Sequence, residues 1–317
     1  MSGPVDVVLA GGGVRGIAHV GALAALEEAG WTPHRVAGAS AGAMAGALWV
    51  AGASPATMRG YLEELDYRSF TFADVIGRLA SRPMLGQMVE RFSPETVDPL
   101  VWFDSLLAQH GVRTWADLKL EGDDAAGLPP ERRYRLVVRC LDVVHRRVVR
   151  LPWDYHRYGL DPDEQAVSEA VRASMSVPLV FDPVTLGEGD RAGLLVDGGL
   201  GTAFPVSVFD RTDHEPARRP TFAVRLIPRR RTSDDWPDGD MALIRAVVDT
   251  MLEAGDQLEP VGDCDERRTI WVDASAVRML DVRMTAAEEA ALYDEGVRAT
   301  RVFLDHYDHE AWTADCR

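Results

Sequence analysis

Two strand-to-helix turns follow one another at the start of the chain, and each is built on glycine. The apolar run Val5-Asp6-Val7-Val8-Leu9-Ala10 reads as a buried strand and leads into Gly11-Gly12-Gly13-Val14-Arg15-Gly16. Helical periodicity then spans 16–29, with Ile17, Val20, Gly21, Leu23, Ala24 and Leu26 facing inward, Glu27-Glu28 outward, and Gly30 as its stop. A second strand, 34–38, runs into Gly38-Ala39-Ser40-Ala41-Gly42 and a helix over 41–52. A β-α-β-α order of this spacing requires parallel strands joined by right-handed crossovers. The fold class that follows is α/β, a three-layer α/β/α arrangement with a mainly parallel central sheet.

Further along, Ser54-Pro55 opens a third helix, with serine as its cap and proline in its first turn. Residues 67–130 break the regularity. Helix-like pieces at 85–92, 100–110 and 115–118 are separated by Pro83, Pro94 and Pro99, and a loop spans 122–130. Within a single domain covering 1–317, this segment is expected to be an insertion over the sheet edge, a lid or cap. A hairpin follows at 134–144 and 146–151 with His145 near its turn, then an amphipathic helix at 163–174. Strands are expected at 194–196, 221–227 and 269–273, with a helix at 241–258. A long helix over 285–306 closes the chain, and Thr285 with Glu288 makes a capping box.

Composition removes several function classes. The net charge of −16 argues against a nucleic-acid partner, whose phosphates need a basic surface. It also weakens attraction to anionic lipid, except through local basic patches. Arg146-Arg147 and Arg229-Arg230-Arg231 are such clusters, and both read as solvated surface. No pair of histidines or cysteines has ligand spacing, so neither a metal nor a cofactor is expected. Cys140, Cys264 and Cys316 are odd in number and widely spaced, which fits reduced thiols in a cytoplasmic protein. The start of the chain lacks the basic and apolar regions of a secretory leader. The longest weakly polar window, 37–53, is at the low end for spanning a bilayer and reads as a buried helix. A membrane would therefore be met peripherally, at its surface.

The two glycine turns carry the chemistry. Glycine-rich backbone at a helix N-terminus points free N–H groups at negative charge. Gly11-x-Gly13-x-x-Gly16 also satisfies the dinucleotide fingerprint, but the second strand ends His34-Arg35-Val36-Ala37-Gly38 without the carboxylate that would hold a ribose. In its place stands Ser40, in a G-x-S-x-G pentapeptide whose glycines permit a sharp turn with the hydroxyl projecting. For an activating base, the late histidines His214, His306 and His309 follow no strand, and His19 reads as a packed core residue. Asp197 ends an apolar strand ahead of two glycines, where burial would raise its pKa toward that of a useful base. A Ser-His-Asp triad esterase and a non-catalytic nucleotide- or acyl-binding module remain open alternatives at this point.

The segments 11–21, 38–42 and 197–199 together resemble the patatin-like phospholipase family. Weaker likeness lies in Ala173-Ser174-Met175-Ser176-Val177-Pro178 and in Leu292, Gly296 and Ala299. One departure is visible: the asparagine that usually precedes proline after Asp-Gly-Gly is replaced by Thr202 and Ala203 ahead of Pro205. The resemblance implies a lipid acyl hydrolase, of phospholipase A or lysophospholipase type, with a Ser40–Asp197 dyad and an acyl-enzyme. Gly11, Gly12, Gly13 and Val14 would supply the oxyanion hole. Arg15 would meet a lipid phosphate or form an ion pair beneath the loop.

Overall fold

The computed structural model describes residues 2–64, 99–178, 180–200, 204–211, 219–227, 239–258, 262–281 and 283–316. Expectations for 67–98, for Thr202 and Ala203, for His214 and for Arg229 to Arg231 lie outside them. The strands are β1 (Gly3–Leu9), β2 (Trp31–Ala39), β3 (Leu136–Asp142), β4 (Arg147–Leu151), β5 (Val184–Leu186), β6 (Gly193–Asp197), β7 (Thr221–Ile227) and β8 (Thr269–Asp273). They form one sheet in the order β5-β6-β3-β2-β1-β7-β8, with β4 also paired to β3. The run β3-β2-β1-β7-β8 is parallel, while β4, β5 and β6 are antiparallel to their neighbours.

Helices flank this sheet: α1 (Ile17–Glu28), α2 (Ala41–Val50), α3 (Pro55–Glu63), α4 (Pro99–Gln109), α5 (Val167–Ser174), α6 (Asp240–Leu258), α7 (Ala286–His306) and α8 (His309–Asp315). The long helix α7 starts with the expected capping box at Thr285 and Glu288, but α8 follows it. α1 carries apolar residues all round because it is buried twice, against the sheet and against α7. The two helices approach so closely that a Cβ on Gly296 would stand 2.1 Å from the Ala18 carbonyl oxygen.

Strand alternation sorts the core. Val7, Leu9, Val36, Leu136, Val138, Phe222 and Val224 join the large cluster under the helices. Their alternates Val8, Ala37, Ala39, Val137 and Ala223 pack instead with Trp153, Phe204, Val206 and Phe209. Part of the segment expected to be a lid proves to be core: Phe103, Leu106, Leu107, Trp115 and Leu118 all enter the large cluster.

The cysteine expectation is corrected. Cys264 and Cys316 form a disulfide, and only Cys140 is a free thiol among the described residues. The short helix Asp263–Glu266 lies beside α8, where Trp312 Nε1 donates to the Cys264 carbonyl at 2.8 Å and Arg267 pairs with Asp315 at 2.8 Å. That packing brings together two residues 52 apart in sequence.

One detail of topology positions the site. β4 occupies one edge of β3 from Val138 to Asp142, so β2 and β6 must share the other edge. β2 runs along it to Ala39, opposite Arg139, and β6 runs the opposite way to Asp197, opposite Cys140. The two strands therefore end head to head, with Ser40 and Asp197 at the meeting point.

Candidate active site

Ser40 sits between β2 and α2 with φ 52° and ψ −125°, a conformation L residues rarely adopt. Such a residue costs on the order of 1–3 kcal/mol and persists only where its surroundings fix it. Here they do. The Ser40 N–H donates to Ser174 Oγ at 2.8 Å, and that hydroxyl donates onward to the Arg139 carbonyl at 2.6 Å. The Ser40 carbonyl accepts from Ala43 and Met44, the first amides of α2 that reach back to it. Glycine on either side is a packing requirement: a Cβ on Gly42 would lie 2.4 Å from the Ala10 carbonyl, and one on Gly38 2.5 Å from Gly42. The side chain stands at the positive end of the α2 dipole, where negative charge on the hydroxyl oxygen is favoured.

Asp197 is fully buried. Its Oδ1 accepts the Gly199 N–H at 2.6 Å, while Oδ2 is a buried oxygen without a hydrogen-bond partner. Burial pushes the carboxyl up to about 7, against the opposing pull of the Gly199 amide, the Ser40 hydroxyl and the Arg139 charge. The Asp197 and Gly198 amides donate to the carbonyls of Ser176 and Ser174 at 3.0 and 3.2 Å, so the 174–176 segment holds the Asp197 turn and Ser40 together. Opposite Asp197 on β3 lies Cys140, whose thiol is kept protonated by burial and by the Asp197 charge.

The glycine loop closes the third side. A Cβ on Gly11 would lie 3.5 Å from the Gly199 Cα and 3.8 Å from the Ser40 Cβ, which puts the three turns in mutual contact. The amides of Gly11, Gly12 and Gly13 donate to no backbone carbonyl among the described residues. Val14 differs: its N–H is occupied by the Met279 carbonyl at 3.0 Å. Arg15 is 1% exposed and lies beneath the loop, its Nε donating to the Gly12 carbonyl at 3.4 Å.

His19 is a core residue, as its helical position suggests. Its Nε2 donates to the Ala10 carbonyl at 2.8 Å, and burial lowers its pKa to about 4, which keeps the ring neutral. No histidine among the described residues hydrogen-bonds to Ser40 or Asp197. Ser174 is the functional residue that reasoning from sequence missed. Its block resembles that of the family, yet nothing local marks it as the partner of an amide 134 positions away.

A mainly parallel sheet carrying a strained serine at a strand-to-helix turn defines the chain as an α/β protein of the serine-elbow kind. The family model for patatin-like phospholipase matches residues 7–210, well over half of the chain, and the chain belongs to that family. YqhO of Bacillus subtilis is 29% identical over 314 residues, covering 96% of this chain and 99% of its own length. Lysophospholipase nte1 of Emericella nidulans is 32% identical over 197 residues, which are 62% of this chain but 10% of that longer protein. The crystal structure of VipD from Legionella pneumophila superposes with a TM-score of 0.52 at 16% identity, over 95% of this chain and 67% of that one. That likeness is one of fold.

Proposed function

We propose that the chain is a lipid acyl hydrolase, of phospholipase A or lysophospholipase/esterase type, working through a Ser40–Asp197 dyad. The observation that carries this reading is the head-to-head meeting of β2 and β6, which presents a strained serine to a buried carboxylate with one unpaired oxygen. In the first half-reaction Asp197 Oδ2 takes the Ser40 proton as Oγ attacks the ester carbonyl. The resulting oxyanion lies against the amides of Gly11, Gly12 and Gly13, where loss of one donor typically costs about 3 kcal/mol. As the intermediate collapses, the carboxyl returns its proton to the leaving alcohol, and the acyl group stays on Ser40. Water then enters by the same route in reverse and releases the fatty acid.

A carboxyl near 7 suits both directions, because it can accept and return a proton at neutral pH. The test is labelling with a fluorophosphonate probe, peptide mapping, and hydrolysis of a p-nitrophenyl ester by Ser40→Ala. Label on Ser40 and loss of hydrolysis with an unchanged melting temperature are expected. A fully active Ser40→Ala variant refutes the reading.

A further inference from the structure

Exposed aliphatic side chains gather around the candidate site. The hairpin between β3 and β4 leaves Val143, Val144 and Val148 open to solvent, with Val144 58% exposed. β3 runs past Cys140, which lies level with Asp197, so the tip at Val143 rises ~10 Å beyond the catalytic row at about 3.3 Å per residue. Ile227, at the end of parallel strand β7 on the same edge of the sheet, is exposed as well.

The second element is α6. Leu243, Ile244, Val247 and Met251 are all exposed, and at 100° per residue they share an arc of about 100°. The adjoining arc is packed. Leu252 and Val248 join Val196, Leu200 and Met279, and Leu252 Cδ2 would stand 3.5 Å from a Cβ on Gly199, beside the Asp197 carboxylate. One apolar band thus runs from the site across α6 to open solvent.

Charge identifies the occupant. The chain carries 50 acidic residues, yet 143–153 holds Arg146, Arg147 and Arg150 with no acid among them; Asp142, just before the turn, pairs with His145 and Arg147, and Arg146 and Arg150 are the cations it does not pair. His145 and Arg146 at the turn are exposed, beside Val143 and Val144. Exposed aliphatic side chains beside an arginine-bearing turn, in a chain with no helix among the described residues long and apolar enough to cross a membrane, suit a surface that rests at the headgroup boundary of anionic lipid.

We propose that the hairpin tip (Val143, Val144, Arg146) and the exposed arc of α6 (Leu243, Ile244, Val247, Met251) form a docking face for an anionic lipid surface. This deepens the lipid-hydrolase reading and rests on it for the identity of the site that the face surrounds. Docked this way, an acyl chain would leave the lipid along the apolar band without crossing water.

The test uses vesicles of phosphatidylcholine and phosphatidylglycerol in equal parts. Binding is measured by cosedimentation in a Ser40→Ala background, so that no lipid is consumed. Val144→Asp and the pair Leu243→Asp with Ile244→Asp should each weaken binding about tenfold or more, and Arg146→Glu should weaken it most at low salt. Val302→Asp is the control. Val302 is equally exposed, but its neighbour Phe303 packs on Phe222 near the start of β7, at the far end of the sheet.

With Ser40 intact, all these variants should hydrolyse monomeric p-nitrophenyl butyrate at the parent rate, which also verifies their folding. Undiminished vesicle binding in the aspartate variants overturns the proposal, as does a parent chain that never sediments with vesicles. So does a dimer that the variants dissociate without touching vesicle binding, which would assign the face to a second copy. A chain that binds vesicles through these residues but hydrolyses no ester would refute the enzyme reading and leave the docking face standing.

Discussion

Replacing Asp197 by asparagine should stabilise the fold at alkaline pH while abolishing activity, and the size of the effect follows from the burial of the carboxyl. An unfolded aspartate titrates near 3.8, and in the folded chain Asp197 titrates near 7. Between those values the folded state holds a proton that the unfolded state has released. Stability therefore falls as pH rises through this window, and the full loss is reached above about pH 8. Holding the ionised form in the fold costs at most about 4 kcal/mol. Asparagine carries no such charge and can still accept the Gly199 N–H through its carbonyl oxygen.

Urea denaturation of the two proteins at pH 5 and pH 8 isolates the effect, because every other titrating group is common to both. At pH 5 Asp197→Asn should already be the more stable by about 1–2 kcal/mol, and at pH 8 by about 4 kcal/mol. Over the same interval parent kcat/KM should climb about tenfold per pH unit and level off above 7, since only the ionised form accepts the Ser40 proton. Activity and stability would then run in opposite directions with pH. An asparagine variant that is no more stable at pH 8, or whose advantage is the same at pH 5, refutes the idea that a buried, uncompensated carboxylate is the base.

Three further outcomes are expected. Ser174→Ala leaves the Ser40 amide and the Arg139 carbonyl without their shared partner, so it should cost about 1–3 kcal/mol in denaturation and lower kcat more than it raises KM. His19 titrates near 4 when folded and near 6.5 when unfolded. It therefore removes up to about 3 kcal/mol of stability as pH falls through that range, and His19→Gln should flatten this acid limb of a melting-temperature profile. Cys264→Ser opens a 52-residue loop, which chain entropy values at up to about 4 kcal/mol. It should lower thermal stability, as dithiothreitol would in the parent, while hydrolysis of a monomeric ester is unchanged at a temperature where both are folded.

The parts of this molecule that were legible in the sequence are those fixed over short distances. The serine elbow announces itself because Ser40 has a positive φ and a Cβ on Gly42 would stand only 2.4 Å from the Ala10 carbonyl oxygen, so that glycine is written on both sides of Ser40. The parallel core strands and the capped α7 were readable for the same reason. Asp197 was recognisable as a strand-end carboxylate, but its pairing with Ser40 came only from the family resemblance and not from the residues around it. Its position depends on β6 being antiparallel and on both β2 and β6 being displaced to one edge of β3, which is a fact about register across more than a hundred residues.

What stayed hidden has the same character throughout. Ser174 supports a backbone amide, Met279 occupies the Val14 amide through its carbonyl, and Cys264 finds Cys316 because two short helices lie side by side. None of these contacts selects a pattern within a window of sequence. Main-chain contacts can be made by almost any residue, and a disulfide needs only one cysteine at each end. The chemistry was therefore visible before the scaffold that orients it. Local steric rules mark the candidate groups, and the long-range pairing of strands decides whether they meet.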